Sequence, residues 1–485
     1  MHKFIRKPYY EQFYKSLHDS AENNYKKAIA ALNLLQTNVE DIMCGLEIKE
    51  LEKQLSVIHV SGTKGKGSTC AFCESILRNY GYKTGFFSSP HLVTVRERIR
   101  INGCPINREK FSSYFWKIYK QLEQCQDVEN DYFKMPSYFM FLTIMALKVF
   151  KEENVDVAII EVGIGGEYDY TNLFSNTAVT GISSLGYDHV KLLGNTIEEI
   201  TWHKAGIMKP GSITITSEHQ PKTSLNILQK RAIEKKCSLY VSTPMNTNDA
   251  LGNRIELGIK GPAQWHNASL AVQLINAWLN PQDYRTESFE MKSTPSVQLS
   301  KEILNGLRTC CWPGRTQIFK FSSELTYYLD GAHTLESIQY CVSWFQENIP
   351  HHSLKSKKVL VFNMTGSRNV EDLIKLFIPC NFDFVFFCTN RIQLQDIFSD
   401  NQNLKINEPE EYNRIIEYRN YWLKLNKYFN SSNTKVFRNV SEAHMVINNL
   451  SVNQQLHVLV TGSLHLVGAF LNLLDPELKL SCSLV

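Results

Sequence analysis

Short apolar runs alternate with longer segments of helical periodicity in the first part of the chain. Runs with the length of buried strands lie at 56–60, 83–87, 155–162 and 178–184. Between them, residues 68–80 and 137–154 repeat their apolar side chains at helical spacing. Strands that alternate with helices are typical of βαβ units, so this pattern predicts a parallel sheet.

A second series of apolar runs follows after about residue 310. Its members lie at 325–330, 357–363, 382–388 and 456–462. Because 485 residues exceed the roughly 250–300 at which a single core stops growing, we expect two domains. The polar segment from Asn280 to Ser300 contains two prolines, which places the division close after it. The sequence therefore predicts an α/β chain with domains at 1–305 and 306–485.

Three stretches fall outside this alternation. The polar segments 241–254 and 400–434 are expected to be surface insertions. Residues 1–17 are basic, but Glu11 interrupts them and no apolar core follows, so they do not have the form of an export signal. We therefore expect a cytoplasmic protein and leave a mitochondrial form open. No run approaches the roughly 18 consecutive apolar residues of a membrane span.

The overall charge excludes some classes of partner. A formal charge of +4 is close to balance on this length, and no basic tract suited to nucleic acid occurs, so small anionic substrates are expected instead. Twelve cysteines without regular spacing indicate a reducing compartment. Cys70 and Cys73 form a lone CxxC that lacks the second pair of a zinc site, so we interpret them as helix packing residues.

The sequence VIHVSGTKGKGSTCAF at 57–72 has the features of a phosphate-binding loop. It follows a predicted strand and opens a predicted helix, where backbone N–H groups and the helix N-terminus attract an anion. Its spacing departs from the standard P-loop because Gly67 separates Lys66 from the hydroxyl pair. The alternative is a plain glycine turn capped by Ser68. The predicted nucleotide-binding residues are Gly62, Thr63, Lys64, Gly65, Lys66, Gly67, Ser68 and Thr69.

Three polar residues lie at or after the ends of other predicted strands. Ser89, Glu161 and His189 should meet at the carboxyl edge of the sheet, where ligands bind. A carboxylate at the end of an apolar strand is costly to bury without a cation, which makes Glu161 a candidate metal ligand. His189 is a weaker candidate because imidazole suits a hard cation poorly, and Ser89 could instead cap a turn before Pro90.

Several segments together resemble the eukaryotic type of folylpolyglutamate synthases, a family of the Mur-type amide ligases. The segments are the glycine loop, FFSSPHLVTVRERIRING (86–103), EVGIGGEYDYTN (161–172), SLGYDHVKLLGNTIEEITWHKAGI (184–207), WPGRTQ (312–317), LDGAHTLES (329–337) and VLVTGSLHLVG (458–468). The resemblance covers nearly the whole chain. It implies a P-loop ATPase-type domain at 1–305, a smaller Rossmann-like ligase domain at 306–485, and an active site between them.

The resemblance also implies the reaction and its substrates. ATP would phosphorylate the terminal carboxylate of a reduced folate, and the amine of L-glutamate would attack the acyl phosphate. Lys66 would act on the transferring phosphate, and Ser89, Glu161 and His189 would hold Mg²⁺. A monovalent cation and a monomeric state also accord with the resemblance.

Lys204 and Asn267 match family positions whose roles stay open. Lys204 resembles a lysine that can be carbamylated to help arrange metal and phosphate, so it is a candidate catalytic residue. The alternative is an unmodified lysine paired with phosphate or with Glu198 or Glu199. Asn267 is a candidate adenine contact, and the alternative is a cap of the following helix.

The second predicted domain supplies further candidates. Arg315 and Asp330 match family positions that reach ATP from across the cleft. His333 is a candidate catalytic residue that is expected to lie near the incoming glutamate. An arginine on a separate domain could neutralise phosphate charge only after closure. In the absence of the family pattern, the arginine of a PGR turn is usually a solvated charge.

Two other functions are compatible with parts of this pattern. A dihydrofolate synthase or bifunctional enzyme uses the same chemistry on a pteroate, although VRERIRING and MPSYF favour chain extension. A nucleotide-binding scaffold without catalysis should have lost residues among the loop, Glu161, Lys204 and Arg315. All of these are present, which favours an active enzyme.

Overall fold

The computed structural model describes most of the chain. The described residues are 21–35, 55–124, 135–175, 177–286, 288–350, 356–364, 370–392, 408–426, 429–430, 432–452 and 454–478. The predictions made for residues 1–17 and for 400–407 lie outside these ranges.

The first sheet has nine strands in the order β4-β3-β2-β5-β1-β6-β7-β8-β9. Their bounds are β1 Val57–Ser61, β2 Thr84–Phe87, β3 Ile99–Ile101, β4 Cys104–Pro105, β5 Val157–Glu161, β6 Val179–Ile182, β7 Ile213–Thr216, β8 Ser238–Val241 and β9 Lys292–Ser293. In this order, the seven strands β2, β5, β1, β6, β7, β8 and β9 pair in parallel. Strands β3 and β4 form an antiparallel edge next to β2. The parallel sheet that the alternation predicts is confirmed.

Helices cover both faces of this sheet. They are α1 Ala21–Leu34, α2 Lys66–Asn79, α3 Arg108–Gln124, α4 Tyr138–Glu152, α5 Val190–Leu193, α6 Ile197–Lys204, α7 Lys222–Lys235, α8 Pro262–Leu279 and α9 Lys301–Thr309. Successive residues of a strand point to opposite faces, so β5 contributes to two cores. Val157 and Ile159 pack in the cluster that includes α2 and α8, whereas Ala158 and Ile160 pack in the cluster that includes α3 and α4. This is why the strands read as continuous apolar runs.

The second sheet has six strands in the order β10-β11-β15-β12-β13-β14. They are β10 Gln317–Lys320, β11 Leu325–Leu329, β12 Lys357–Phe362, β13 Phe384–Cys388, β14 Thr434–Phe437 and β15 Leu456–Thr461. The associated helices are α10 Leu335–Asn348, α11 Val370–Lys375, α12 Glu408–Leu425, α13 Val440–Ser451 and α14 Leu464–Leu474. Only β10 is antiparallel among these described strands. The predicted α/β class, with a smaller second sheet domain, is confirmed.

One predicted surface insertion is wrong. Within 400–434, residues 408–425 form helix α12, whose Ile415, Tyr418 and Trp422 are buried in the core of the second sheet. These side chains recur at spacings of three and four, which places them on one face of a helix. The other predicted insertion, 241–254, begins with the last residue of β8 and is largely exposed beyond residue 242.

The connection between the two sheets passes through α9. This helix packs against α2 of the first domain. Ser75 Oγ of α2 donates to the carbonyl of Gly306 in α9 at 2.7 Å. The predicted division between 305 and 306 falls inside α9, which ends at Thr309 before β10 begins at Gln317. The exact division therefore stays a prediction.

A loop of the first domain is embedded in the second. Leu92 and Val93 follow β2, yet their side chains belong to the hydrophobic cluster of the second sheet. Leu92 lies against Gly314 and Gly468, where a Cβ would approach it to 2.9 and 2.2 Å respectively. Both glycines are required for this close approach.

Candidate active site

The loop between β1 and α2 contains two glycines that no other residue could replace without a shift of its surroundings. Gly62 and Gly65 have φ angles of 144° and 89°, a region that favours glycine. A Cβ on Gly62 would lie 2.0 Å from Ser183 Oγ, and one on Gly65 would lie 2.2 Å from Asn267 Oδ1. The loop is therefore fixed against β6 on one side and α8 on the other.

Hydrogen bonds to the neighbouring strand end hold this loop in place. The N–H groups of Thr63 and Lys64 donate to the carbonyl of Ser184 at 2.9 and 3.1 Å. The hydroxyl of Thr63 donates to the carbonyl of Gly186 at 3.0 Å. The anchored loop leads directly into α2, so the first turn of that helix faces the same space. This arrangement suits an anion at the helix N-terminus.

Two lysines share one carbonyl of the loop. Lys204 Nζ donates to Gly62 O at 2.7 Å, and Lys66 Nζ donates to the same oxygen at 3.2 Å. Lys204 is only 2% exposed. Burial, reinforced by the nearby charge of Lys66, lowers the pKa of Lys204 to about 7. In a large share of the molecules the Lys204 amine is therefore neutral near neutral pH. The neutral amine is the form that reacts with CO₂.

The burial of Lys204 predicts a measurable dependence of stability on pH. Between pH 7 and 10.5 the unfolded chain binds a proton that the folded chain lacks, so wild-type stability rises with pH there. Lys204→Met removes this group, and its stabilising effect should be largest below pH 7 and shrink toward pH 10. We expect a change on the order of 1–3 kcal/mol between pH 7 and 9, read from denaturant unfolding in CO₂-depleted buffer. An effect of equal size at both pH values would contradict this prediction.

Glu161 lies at the end of β5 beside the glycine loop. It is 5% exposed, and its Oε2 accepts a hydrogen bond from the N–H of Ser89 at 3.0 Å. Burial raises the pKa of Glu161, and Lys66, the Ser89 N–H, Arg315 and Arg98 oppose that rise. A Cβ on Gly67 would lie 3.3 Å from Glu161 Oε1, so the carboxylate and the loop are in close contact.

His189 lines the same cleft as Glu161. It caps the short helix α5 in the left-handed region, with φ 49°, and its N–H donates to Asp188 Oδ1 at 2.9 Å. Its exposed side chain and Ser89 both line the cleft. Ser89, Glu161 and His189 thus line one cleft, and their meeting around one cation stays a prediction.

The second domain brings three predicted residues to the cleft. Arg315, Asp330 and His333 line it opposite the glycine loop. Asp330 accepts from the N–H of Thr316 at 2.8 Å and from that of Ala332 at 2.9 Å. Burial raises the pKa of Asp330, and the charge of Arg315 opposes this.

One hydrogen bond crosses the cleft directly. Lys64 Nζ, on the glycine loop, donates to Thr334 Oγ1 at 2.7 Å, and it lies 3.8 Å from Glu336 Oε2. Thr334 caps helix α10 of the second domain. Because Lys64 and Glu336 are largely exposed, this contact contributes little to stability, but it links the loop to the opposite wall.

The cleft has a volume of about 1130 Å³ and lies between the two sheets. It is lined by Thr63, Lys64, Gly65, Lys66, Gly67, Ser68, Ser89, Glu161, His189, Arg315, Asp330 and His333 among the predicted residues. The other four predicted residues do not line it. Gly62 lies at the base of the loop with Lys204 behind it, Thr69 is buried in α2, and Asn267 packs on Gly65.

Sequence reasoning assigned no role to two buried arginines of the cleft. Arg98 and Arg100 line its wall, over the rings of Tyr138 and Trp312 at 5.5 and 5.0 Å. Burial lowers the pKa of Arg98. The signal in the sequence was the alternation of arginine and isoleucine in RIRI, although Arg98 ends the 3-10 turn Val95–Arg98 and only Arg100 lies in β3.

Comparisons with known proteins bear on the whole chain. Residues 317–473 match the family described as dihydrofolate synthetase, C-terminal domain. The mitochondrial folylpolyglutamate synthase of Cricetulus griseus is 38% identical over 94% of this chain and 92% of its own length. Folylpolyglutamate synthase of Candida albicans is 36% identical over 95% of this chain and 98% of its own length.

Solved structures share the fold. Folylpolyglutamate synthase of Mycobacterium tuberculosis complexed with ADP and AMPPCP aligns with a TM-score of 0.68 at 22% identity, over 93% of this chain and 95% of that one. E. coli FolC in complex with ADP and without folate substrate aligns with a TM-score of 0.63 at 23% identity, over 96% of this chain and 97% of that one. The overall fold is thus common to all three.

Proposed function

The chain belongs to the folylpolyglutamate synthase family, and from this premise we propose which of its residues carry out the ATP-dependent addition of L-glutamate to the γ-carboxylate of a folate. The enzyme is a ligase of this class. One observation supports the assignment of roles most strongly. The glycine loop, Glu161 and Arg315 come from both domains and line a single cleft.

The glycine loop binds the triphosphate of ATP in this proposal. Its backbone follows β1 and enters α2, so N–H groups and the helix N-terminus face the phosphates. Lys66 then leaves the carbonyl of Gly62 and bonds the γ-phosphate, where its charge offsets the negative charge that shifts during transfer. Asn267 packs on Gly65 outside the cleft lining, so its contact with the adenine ring stays a prediction.

The residues around Glu161 fit a bound Mg²⁺. A carboxylate that is 5% exposed and whose pKa burial raises is stabilised by a divalent cation. Carboxylate and hydroxyl oxygens are ligands of the kind that Mg²⁺ prefers, and the ion binds few protein groups because it keeps waters and substrate phosphates. Glu161 and Ser89 would hold it with His189. When bound, Mg²⁺ neutralises phosphate charge during phosphoryl transfer.

The protein groups position the two reacting partners. The folate carboxylate attacks the γ-phosphorus, and ADP leaves with its charge matched by Lys66 and Arg315. The amine of L-glutamate then attacks the acyl carbon, phosphate leaves, and the amine loses a proton. His333, whose Nδ1 donates to Gly331 O at 2.9 Å, lines the cleft and is the proposed contact to glutamate. Neutral Lys204 is the site of carbamylation in this proposal, where the added carboxylate would support the cation.

Product analysis tests the reaction directly. The protein is incubated with ATP, tetrahydrofolate and isotope-labelled L-glutamate, and the products are weighed by mass spectrometry. We expect folates longer by one or more labelled glutamates, with equal amounts of phosphate released. A parallel incubation supplies dihydropteroate, the substrate of a dihydrofolate synthase. Activity on dihydropteroate with none on tetrahydrofolate would overturn the substrate assignment, and ATP binding without glutamate-dependent phosphate release would indicate a scaffold.

Arg315→Ala should impair catalysis more than folate binding. The guanidinium acts on phosphate charge that changes during transfer, so kcat should fall by about 10²–10³-fold while the folate KM changes little. Arg308→Ala is the matched control because Arg308 lies exposed on α9 and donates to Asn305. It should leave both constants near wild type. A change confined to the folate KM of Arg315→Ala would contradict the proposed role.

Localisation, oligomeric state and further ions also stay proposals. We infer a cytoplasmic enzyme that also occurs in a mitochondrial form, since three mammalian relatives are named mitochondrial. No helix in the described part of the chain is long and apolar enough to cross a membrane. A monomer that uses only small-molecule substrates, without nucleic acid, and a bound monovalent cation stay predictions.

A further inference from the structure

A second group of potential metal ligands lies away from Glu161. Glu218 and His219 follow strand β7, and His266 lies in the first two turns of α8. One ligating atom of each, a carboxylate oxygen and two imidazole nitrogens, lies within 4.8 Å of the other two. We propose that these three residues form a site for a Zn²⁺-type ion, separate from the cation site of the ligase reaction.

The geometry of the three side chains supports this proposal. His266 Nδ1 and His219 Nε2 lie 2.5 and 3.6 Å from the same atom, Glu218 Oε1. Two ligands of one tetrahedral zinc ion are about 3.3 Å apart, given metal–ligand bonds of about 2.0–2.1 Å. The three donors therefore need only small side-chain rotations to surround one ion. The two imidazole rings already pack edge to face with centroids 4.7 Å apart.

The burial and the charge environment of the Glu218 carboxylate also favour a bound cation. Its side chain is only 12% exposed. Among the described residues, its ion-pair partners are His219 and His266, with no lysine or arginine. A mostly buried carboxylate without a permanent positive partner is costly, and a divalent ion shared with two imidazoles removes that cost. His219 is 73% exposed, so an ion can reach the site from solvent.

The loop that carries two of the ligands is held rigidly. Buried Gln220 accepts from the N–H of Leu185 at 2.9 Å and donates through Nε2 to Ser183 O and Thr216 Oγ1, both at 2.9 Å. Ser217 N–H donates to Ile182 O at 2.9 Å. A loop fixed on both sides of Glu218 and His219 keeps their side chains close to the binding geometry, which lowers the entropy cost of binding.

The donor set selects the ion. Imidazole nitrogens suit Zn²⁺ and related first-row ions, whereas Mg²⁺ and Ca²⁺ prefer oxygen ligands. Three protein ligands leave one tetrahedral position for water, which makes the ion exchangeable. An ion here would tie the end of β7 to the start of α8. Asn267 follows His266 in α8 and packs against Gly65 of the glycine loop. The ion would therefore stabilise the contact between α8 and the loop.

Zinc binding to the full-length protein tests the site without any need for activity. Calorimetric titration with Zn²⁺ alone should show one site, and Zn²⁺ should raise the melting temperature. His219→Ala should weaken Zn²⁺ binding by at least about tenfold, and the variant should fold like wild type because His219 is exposed. His444→Gln is the control because His444 bonds Tyr327 Oη at 2.8 Å, and it should bind Zn²⁺ like wild type. Equal affinities for both variants, or no Zn²⁺ binding by wild type, would overturn the proposal.

Cobalt distinguishes this site from the free thiols. Co²⁺ bound by nitrogen and oxygen ligands gives visible d–d bands, whereas thiolate ligation adds a strong charge-transfer band in the near ultraviolet. The chain exposes Cys104 and Cys311, so this distinction is needed. We expect d–d bands without the thiolate band, and their loss in Glu218→Gln and in His219→Ala. A spectrum dominated by thiolate charge transfer would refute the site.

Discussion

Replacement of Lys66 by alanine should reduce kcat/KM for ATP by about 10³-fold or more, which corresponds to about 4 kcal/mol of transition-state stabilisation. Lys66 is the first residue of α2, and its Nζ lies 3.2 Å from Gly62 O at the base of the loop. From there the ammonium can turn to the outer phosphates, and Lys204 cannot replace it because that lysine is buried behind the loop. Steady-state kinetics with varied ATP measures the loss.

The second lysine of the loop provides a matched control. Lys64 Nζ donates to Thr334 on the opposite wall, and its side chain is exposed. Lys64→Ala should therefore lower kcat/KM by about tenfold or less, since it removes a contact between domains and not a charge on the transferring group. Unchanged melting temperatures would show that both variants fold. Near-normal kcat for Lys66→Ala, or equal losses in the two variants, would refute the role assigned to Lys66.

Glu161→Gln should raise the Mg²⁺ concentration needed for half-maximal activity by about 10–100-fold. The substitution keeps the shape of the side chain and removes the charge that a divalent cation requires. Because burial raises the pKa of Glu161, wild-type activity should fall on the acid side as this carboxylate binds a proton. That acid limb should be absent from the pH profile of Glu161→Gln at saturating Mg²⁺.

A second acid of the same segment serves as the control. Glu167 lies six residues after Glu161, pairs with Arg231 and Lys235, and does not line the cleft. Glu167→Gln should lower the melting temperature and leave the Mg²⁺ titration unchanged. If the titration of Glu161→Gln matches that of wild type, Glu161 is a structural acid and the proposed cation site is wrong.

The sequence predicted features that are encoded by neighbouring residues. The glycine loop could be found because Gly62 and Gly65 need backbone angles open mainly to glycine, and because a strand and a helix flank them. Glu161 could be found because it ends a run of apolar residues. The position of both at one edge then follows from the parallel sheet, where successive strands end on the same side.

Features that depend on distant residues could not be predicted in this way. Helix α12 was mistaken for a surface insertion because its three buried apolar side chains stand in a polar stretch. Its buried Glu411 is stabilised by Asn363 Nδ2 and the Asn390 N–H, at 3.1 and 2.9 Å, partners that the sequence alone does not reveal. The zinc ligands are likewise invisible in the sequence, since His266 lies 48 residues after Glu218.

The burial of Leu92 in the second domain limits how the enzyme can open. Only Pro90 and His91 lie between Leu92 and Ser89 at the edge of the first sheet, and the three residue steps from Ser89 to Leu92 span about 10 Å at most. While Leu92 stays between its two glycines, the halves of the molecule cannot slide apart by more than this tether. Substrate entry and product exit must then occur by rotation of the two domains about this segment. Ser89 would move little in such a rotation, and the edge of the cleft farthest from Ser89 would move most.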